Sequence, residues 1–449
     1  MGMREIKTVT QIGANGAMGR NVSAIFASFG NAKVYMVSRS LNKSKKAVEK
    51  AVSSVRAESI LKNLIPVDYS SLSECVGRSD LVFESVTEDI SIKSDILKSI
   101  SGALSESTII CTGTSGLSVT KLAETLPEHL RANYYGVHMF NPPYSMPLCE
   151  FCRTKYSSAS LATNFKDYLE RKLFRTVVEV SDSPAFLANR IGFAFINEAM
   201  LHAQKYKDRG GIDYIDAILG GFTGRSMAPL VTSDFVGLDI HKMIVDNIYA
   251  NTQDYAHETF ALPEFAQKLI DRDALGRKTN GGLYKMETQD NSSGNSSSIS
   301  PKARVKRLTV YDVATDVYRD KKNYDFPFAK KMISSFRTGD YSSGFYSLIN
   351  DGSFEAELCL SFLLKYIVYS LVTAQTVGGG AHSADAVMAE GFNWCPALAV
   401  IDALSAIQNV AELIKTRIPS ISEAADIDSL LAGVEKSAYD YRQYFKAVK

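Results

Sequence analysis

An excess of either charge is missing from this 449-residue sequence: 50 Lys and Arg stand against 49 Asp and Glu, a formal net charge of +1. A dedicated nucleic-acid binder carries a basic excess for phosphates, so that class is excluded. Long apolar runs are missing as well. The first ten residues hold none of signal-peptide length. The most apolar stretch, 358–377, is interrupted by Lys365 and carries Ser361, Tyr366, Ser370, Thr373 and Gln375. It reads as a buried helix and not as a membrane span. Cysteine is scarce: Cys75, Cys111, Cys149, Cys152, Cys359 and Cys395 are all there is. A chain this long builds a core without disulfide staples. The CxxC at 149–152 lacks the second ligand pair that zinc needs. Its surroundings read as a strand, whereas a redox pair opens a helix. Structural thiols in a reducing, cytoplasmic setting are the expectation. What is present is ordinary for a globular protein, 45% hydrophobic and 22% charged residues, with length for two or three domains.

The first 180 residues alternate short apolar runs with amphipathic stretches. Strands are expected at 8–13, 33–37, 80–86, 107–112 and 134–137, and helices at 17–29, 43–57, 90–104 and 119–126. Strands separated by helices imply a parallel, doubly wound α/β sheet, a Rossmann domain over 1–183. Beyond Ser183-Pro184 helical patterns dominate, at 186–206, 212–219, 235–255 and 264–272, giving an all-α domain over 184–286. A Ser/Asn/Gly-rich tract marks a linker at 287–301. Helical patterns resume at 302 and continue to 449, a second all-α domain. Residues 220–239 (GGFTGRSMAPLVTSDFVGLD) and 390–405 (EGFNWCPALAVIDALS) form a faint repeat. Two tandem helical units follow from it.

The segment Gly13-Ala14-Asn15-Gly16-Ala17-Met18-Gly19 follows the first strand and opens the first helix. Glycines there permit a tight turn and close backbone approach to a pyrophosphate. The helix N-terminus adds free N–H groups and partial positive charge. Enzymes that use NAD usually place a carboxylate at the end of the second strand for the ribose hydroxyls. Here that end reads Ser38-Arg39-Ser40. No carboxylate repels a 2′-phosphate, two hydroxyls can donate to it and Arg39 can pair with it. NADP(H) is therefore the expected cofactor, with NAD(H) the other choice. Lys43, Lys45 and Lys46 read as a solvated helix face.

Further on stand Thr114-Ser115-Gly116-Leu117-Ser118, then Gly136-Val137-His138-Met139-Phe140-Asn141-Pro142-Pro143, then Glu150, then Ser183-Pro184-Ala185-Phe186-Leu187-Ala188-Asn189-Arg190. A run Asp80-Leu81-Val82-Phe83-Glu84-Ser85-Val86-Thr87-Glu88 precedes them, and Ala228-Pro229, Gly237-Leu238-Asp239 and 276–284 (GRKTNGGLY) follow. Over about residues 6 to 285 this order of motifs resembles the 3-hydroxyacyl-CoA dehydrogenase family. The later helical unit looks like the duplicated C-terminal domain of its longer members. The resemblance implies that His138 is the general acid/base and that Glu150 orients its ring. It implies that Ser115 holds the substrate oxygen, with Asn189 beside it. It places Glu88 near the nicotinamide, and Lys93 is taken with it as a cofactor contact. The chemistry agrees: a secondary alcohol losing hydride must also lose a proton, and an unperturbed imidazole titrates near pH 6.5. A carboxylate amid Leu148, Cys149 and Phe151 needs a partner. His129, His202, His241, His257 and His382 lack ligand spacing, and no metal is implied.

The sequence departs from the family at Ala185, where Gly is usual, and at Gly113, where Asn is usual. Its segment 38–80 is also shorter, a region where the family carries a helical hairpin that contacts CoA. The implied substrate is an acyl-CoA, and the shortening favours a non-thioester hydroxy acid, such as a sugar acid, as the rival. A non-catalytic NADP-binding protein is a third reading, opposed by the complete catalytic set. Helical domains of this kind pair across an apolar face, so a homodimer is expected unless the tandem unit supplies that contact.

Overall fold

The computed structural model describes residues 5–290 and 304–445. Residues 291–301 of the expected linker lie outside them. The chain forms two compact units. One runs up to Asn189 and includes Thr373–Asn393; the other comprises Arg190–Val372 and the chain from Trp394 on.

In the first unit the short apolar runs become eight strands. They are β1 (Thr8–Ile12), β2 (Lys33–Ser38), β3 (Leu64–Asp68), β4 (Leu81–Glu84), β5 (Ile109–Thr112), β6 (Tyr134–Met139), β7 (Leu148–Arg153) and β8 (Thr176–Val180). Their order is β3-β2-β1-β4-β5-β6-β7-β8. Helices α1 (Ala17–Ser28), α2 (Leu41–Val55), α3 (Leu72–Gly77), α4 (Ile90–Ser101), α5 (Val119–Ala123) and α6 (Ala159–Arg171) connect them. Strands β1 to β6 are parallel, as the strand–helix alternation requires. The sheet is not parallel throughout: β7 runs antiparallel to β6, and β8 parallel to β7. Only eight residues separate β6 from β7, too few for a helical crossover. Val9, Val34, Met36, Phe83, Cys111, Val137 and Phe151 form the core on one face, packed beneath Val22, Ile25 and Phe26 of α1.

The second unit is mostly helical, beginning within α7 (Ala188–Lys205). Two sequence expectations are corrected here. The helix expected at 235–255 is two, Pro229–Val236 and Leu238–Asn251, because Gly237 breaks it at φ 105°. Among the described residues helical structure also does not resume directly after the linker. Instead β9 (Tyr284–Asp290), β10 (Arg304–Asp312) and β11 (Val317–Asp320) form an antiparallel sheet that takes in residues 287–290 of the expected linker. The cause lies in Thr309, Val310 and Tyr311, β-branched or aromatic residues that favour extended backbone and are buried here. The helix Phe354–Val377 is apolar enough to cross a membrane, yet 78% of its most apolar window is buried inside the protein. Lys365, which interrupts that run, pairs with Glu198. All six cysteines are free and buried, and burial pushes the Cys149 thiol up to about 12. Among the described residues no three His, Cys, Asp or Glu side chains gather as a metal site.

Candidate active site

Parallel strands end on one edge of a sheet, and in open α/β folds ligands bind at the carboxyl ends. On that edge the structure sets the Gly13 turn after β1, Ser38 ending β2, Glu84 ending β4, the Ser115 loop after β5 and His138 near the end of β6. Gly13 turns the chain at φ 81°, which a side chain would resist. The Gly13 and Ala14 amides both donate to Val37 O, at 3.1 and 3.0 Å, which fastens the turn to β2. A Cβ on Gly19 would collide with Gly13 O, so this glycine lets α1 pack closely. A Cβ on Gly16 would meet only Gly13 O at 3.4 Å and Ser85 O at 4.0 Å. Gly16 stands at the start of α1, where no side chain caps the free N–H groups. Asn15 and Ala17 are exposed beside it, with Met18 half-buried. At the end of β2 the Ser38 hydroxyl is buried and has no hydrogen-bond partner. Arg39 and Ser40 are exposed next to it. An anion-ready helix end and an orphaned hydroxyl fit a bound dinucleotide.

The β6–β7 hairpin pairs His138 directly with Glu150. Their side chains meet at 2.7 Å, His138 Nδ1 to Glu150 Oε2, with Glu150 fully buried and His138 8% exposed. Glu150 Oε1 accepts from the amides of Leu187 at 3.0 Å and Ala188 at 2.8 Å. These donors are aimed by two consecutive left-handed residues, Ala185 at φ 59° and Phe186 at φ 52°. The fully occupied carboxylate leaves His138 Nε2 as the ring nitrogen able to exchange a proton. Left-handed backbone disfavours Cβ, so Ala185→Gly is expected to raise stability by about 1 kcal/mol. Denaturant unfolding should show a higher midpoint with unchanged slope.

A second cluster lies beside this pair. Ser115 follows β5 and donates to Glu88 Oε1 through its amide at 2.7 Å and its hydroxyl at 3.2 Å. The Thr114 hydroxyl donates to the same oxygen. Lys93 spans Glu84 at 2.9 Å and Glu88 at 3.2 Å and is 1% exposed. Read from sequence as a cofactor contact, Lys93 is committed to these carboxylates and to Val86 O at 3.4 Å. Asn189 Nδ2 reaches the backbone carbonyl of Ser115 at 3.4 Å. The structure therefore brings Ser115, Glu88, Lys93 and Asn189 together, while Ser38, Arg39 and Ser40 sit apart at the end of β2.

Sequence reasoning passed over three contributors. Glu84 is buried, holding Lys93, the Thr112 hydroxyl at 2.9 Å and the Val86 amide. A carboxylate inside the apolar run Leu81-Val82-Phe83 was the available signal. Asp182 caps α5 through the Val119 and Thr120 amides, both at 2.8 Å, and ties the Ser115 loop to the Asn189 turn. Asn21 on α1 donates to Asn141 Oδ1 at 2.8 Å, joining the glycine helix to the loop after His138.

Comparisons with known proteins agree with this layout. Residues 8–183 match the family model described as 3-hydroxyacyl-CoA dehydrogenase, NAD binding domain, and residues 186–286 its C-terminal domain. Mitochondrial hydroxyacyl-coenzyme A dehydrogenase of Sus scrofa is 29% identical over 296 residues, 62% of this chain and 91% of that protein. A putative fatty acid oxidation complex trifunctional enzyme of Rickettsia felis is 24% identical over 404 residues, 87% of this chain. This chain spans about half of that larger relative, 52% of its length. The crystal structure of 3-hydroxybutyryl-CoA dehydrogenase from Escherichia coli shares the fold at TM-score 0.65 and 18% identity, covering 93% of this chain and 96% of that one. That of (S)-3-hydroxybutyryl-CoA dehydrogenase from Ralstonia eutropha is 28% identical at TM-score 0.54, covering 62% of this chain and 98% of that one.

Proposed function

Because the chain belongs to the 3-hydroxyacyl-CoA dehydrogenase family, we propose that it reduces 3-ketoacyl-CoA thioesters with NADPH and runs the reverse oxidation. The observation that carries this reading is the buried His138–Glu150 pair, set on the same sheet edge as the glycine turn. The helix end at Gly16 holds the pyrophosphate, and Ser38, Arg39 and Ser40 hold the adenosine ribose and its 2′-phosphate. When bound, the nicotinamide supplies a hydride to the 3-keto carbon or accepts one from the alcohol. His138 gives a proton from Nε2 to the substrate oxygen in reduction and takes it back in oxidation. Glu150 fixes which nitrogen exchanges that proton and stabilises the imidazolium. The Ser115 hydroxyl and Asn189 amide orient the reacting oxygen, with Glu88 and Lys93 holding Ser115 in place.

One observation favours a second substrate class. Between β2 and β4 the chain has only α2, a short 3₁₀ turn, β3, another 3₁₀ turn and the six-residue α3. That leaves no helical hairpin there, so a free 3-hydroxy acid is the rival substrate. A cofactor-by-substrate matrix decides: acetoacetyl-CoA, longer 3-ketoacyl-CoAs and free keto acids, each with NADPH and NADH. Turnover is expected on thioesters. Charged hydrogen bonds contribute roughly 1.5–3 kcal/mol, so NADPH should exceed NADH in kcat/KM by about ten- to a hundredfold. Arg39→Ala should collapse that ratio while sparing activity with NADH. Better kcat/KM with NADH in the unaltered enzyme would refute the cofactor preference.

A further inference from the structure

Residues 373–393 lie far along the chain yet belong to the unit that carries the catalytic pair. Their route is built. The Ser181 amide, just past β8, donates to Val377 O at 2.7 Å. Gly378, Gly379 and Gly380 then turn at φ 110°, 85° and 75°, conformations open to glycine. The helix Ala381–Phe392 follows and ends on left-handed Asn393. Its last turn lies against Leu148 of β7 and against Phe140, the residue that follows β6. A Cβ on Gly391 would collide with Leu148 and lie 3.4 Å from Phe140. Phe140 stands two residues after His138 and Leu148 two before Glu150. In extended chain that spacing returns to the same face, so this helix covers the face bearing the pair.

An aromatic chain completes the contact. The His138 ring lies between Phe140, centroids 4.5 Å apart, and Phe186 at 5.9 Å. Phe140 rests in turn on Phe392 at 6.1 Å. The ring therefore has three constraints: Glu150 at Nδ1, Phe186, and Phe140 backed by Phe392. Without Phe392, Phe140 has room to tilt and the His138 ring can swing with it.

We propose that Phe392 is a positioning residue for proton transfer, acting on His138 through Phe140. The proposal rests on the reaction assigned above and makes a C-terminal segment part of the catalytic apparatus.

The experiment uses the full chain, with Phe392→Ala and Phe392→Leu assayed on the best thioester of the matrix. A misplacement of about 1 Å costs up to about a hundredfold, so Phe392→Ala should lower kcat by about ten- to a hundredfold. The KM for the thioester and the affinity for NADPH, read by its fluorescence, should stay within about twofold. Phe392→Leu keeps bulk against Phe140 and should recover most of kcat. An unchanged kcat in Phe392→Ala overturns the proposal. So does a loss of NADPH affinity in parallel with kcat, which marks general damage to the unit. If the unaltered enzyme turns over no thioester and no keto acid, the assigned reaction itself is overturned.

Discussion

Glu150→Gln is expected to abolish most turnover, lowering kcat by about 10³- to 10⁴-fold, with the fold intact and the nicotinamide cofactor still bound. The size follows from how fully the carboxylate is used. One oxygen accepts from the Leu187 and Ala188 amides and the other meets His138 Nδ1. Glutamine keeps a single acceptor oxygen. The two backbone donors claim it, because an NH₂ facing two N–H groups in a buried site is strongly unfavourable. The amide NH₂ must then face His138 and donate to Nδ1. That forces the proton onto Nε2 and removes the carboxylate that supports an imidazolium. In oxidation Nε2 can no longer accept the substrate proton, and in reduction no stabilised cation is present to donate one. Steady-state kinetics in both directions, with NADPH titration as a folded-state control, tests this. Loss in only one direction, or less than tenfold in either, would contradict the assigned roles.

Some of this site was legible before the fold and some was not, for a physical reason. The glycine turn is a local signal, because Gly13 needs its backbone conformation and Gly19 its missing side chain wherever a strand feeds a dinucleotide helix. The strand–helix alternation over the first half is equally local and predicts the parallel sheet. The pairing of His138 with Glu150 needed a register, which the short β6–β7 connection supplies. The hub at Glu84 was harder to see, since its partners Lys93 and Thr112 come from a different helix and strand. No periodicity reports a contact between Phe392 and Phe140, about 250 residues apart in sequence. The repeat at 220–239 and 390–405 points to helical units there, whereas the packing of the helix Ala381–Phe392 against β7 and β8 is a long-range contact that no local pattern reports. The helical pattern expected from 302 fails over 304–320 because Val305, Leu308, Val310 and Tyr311 in RVKRLTVYD keep no clear period, so β-branched and aromatic content decides for a strand. Pairing of Arg304–Asp312 with β9 and β11 settles that choice.

Replacing His138 separates chemistry from architecture. His138→Ala removes the group proposed to exchange the proton, and general acid–base catalysis is worth about 10²- to 10⁴-fold in rate. It also removes one of the three donors that hold the fully buried Glu150 carboxylate. Leaving a buried acceptor short of a partner costs roughly 1–3 kcal/mol, more if charged, so this variant should also unfold at lower denaturant. His138→Asn loses the titrating ring yet can retain a donor toward Glu150. It should therefore lose activity to the same extent while recovering part of the stability. Cofactor affinity should hold in both variants, because the glycine turn follows β1 and Ser38 ends β2, away from the β6–β7 hairpin. Equal loss of kcat with unequal loss of stability would show that the activity defect is chemical and not a consequence of unfolding. Turnover within tenfold of the unaltered enzyme in either variant would remove His138 from the mechanism. Proton transfer would then fall to a group that Glu150 does not orient.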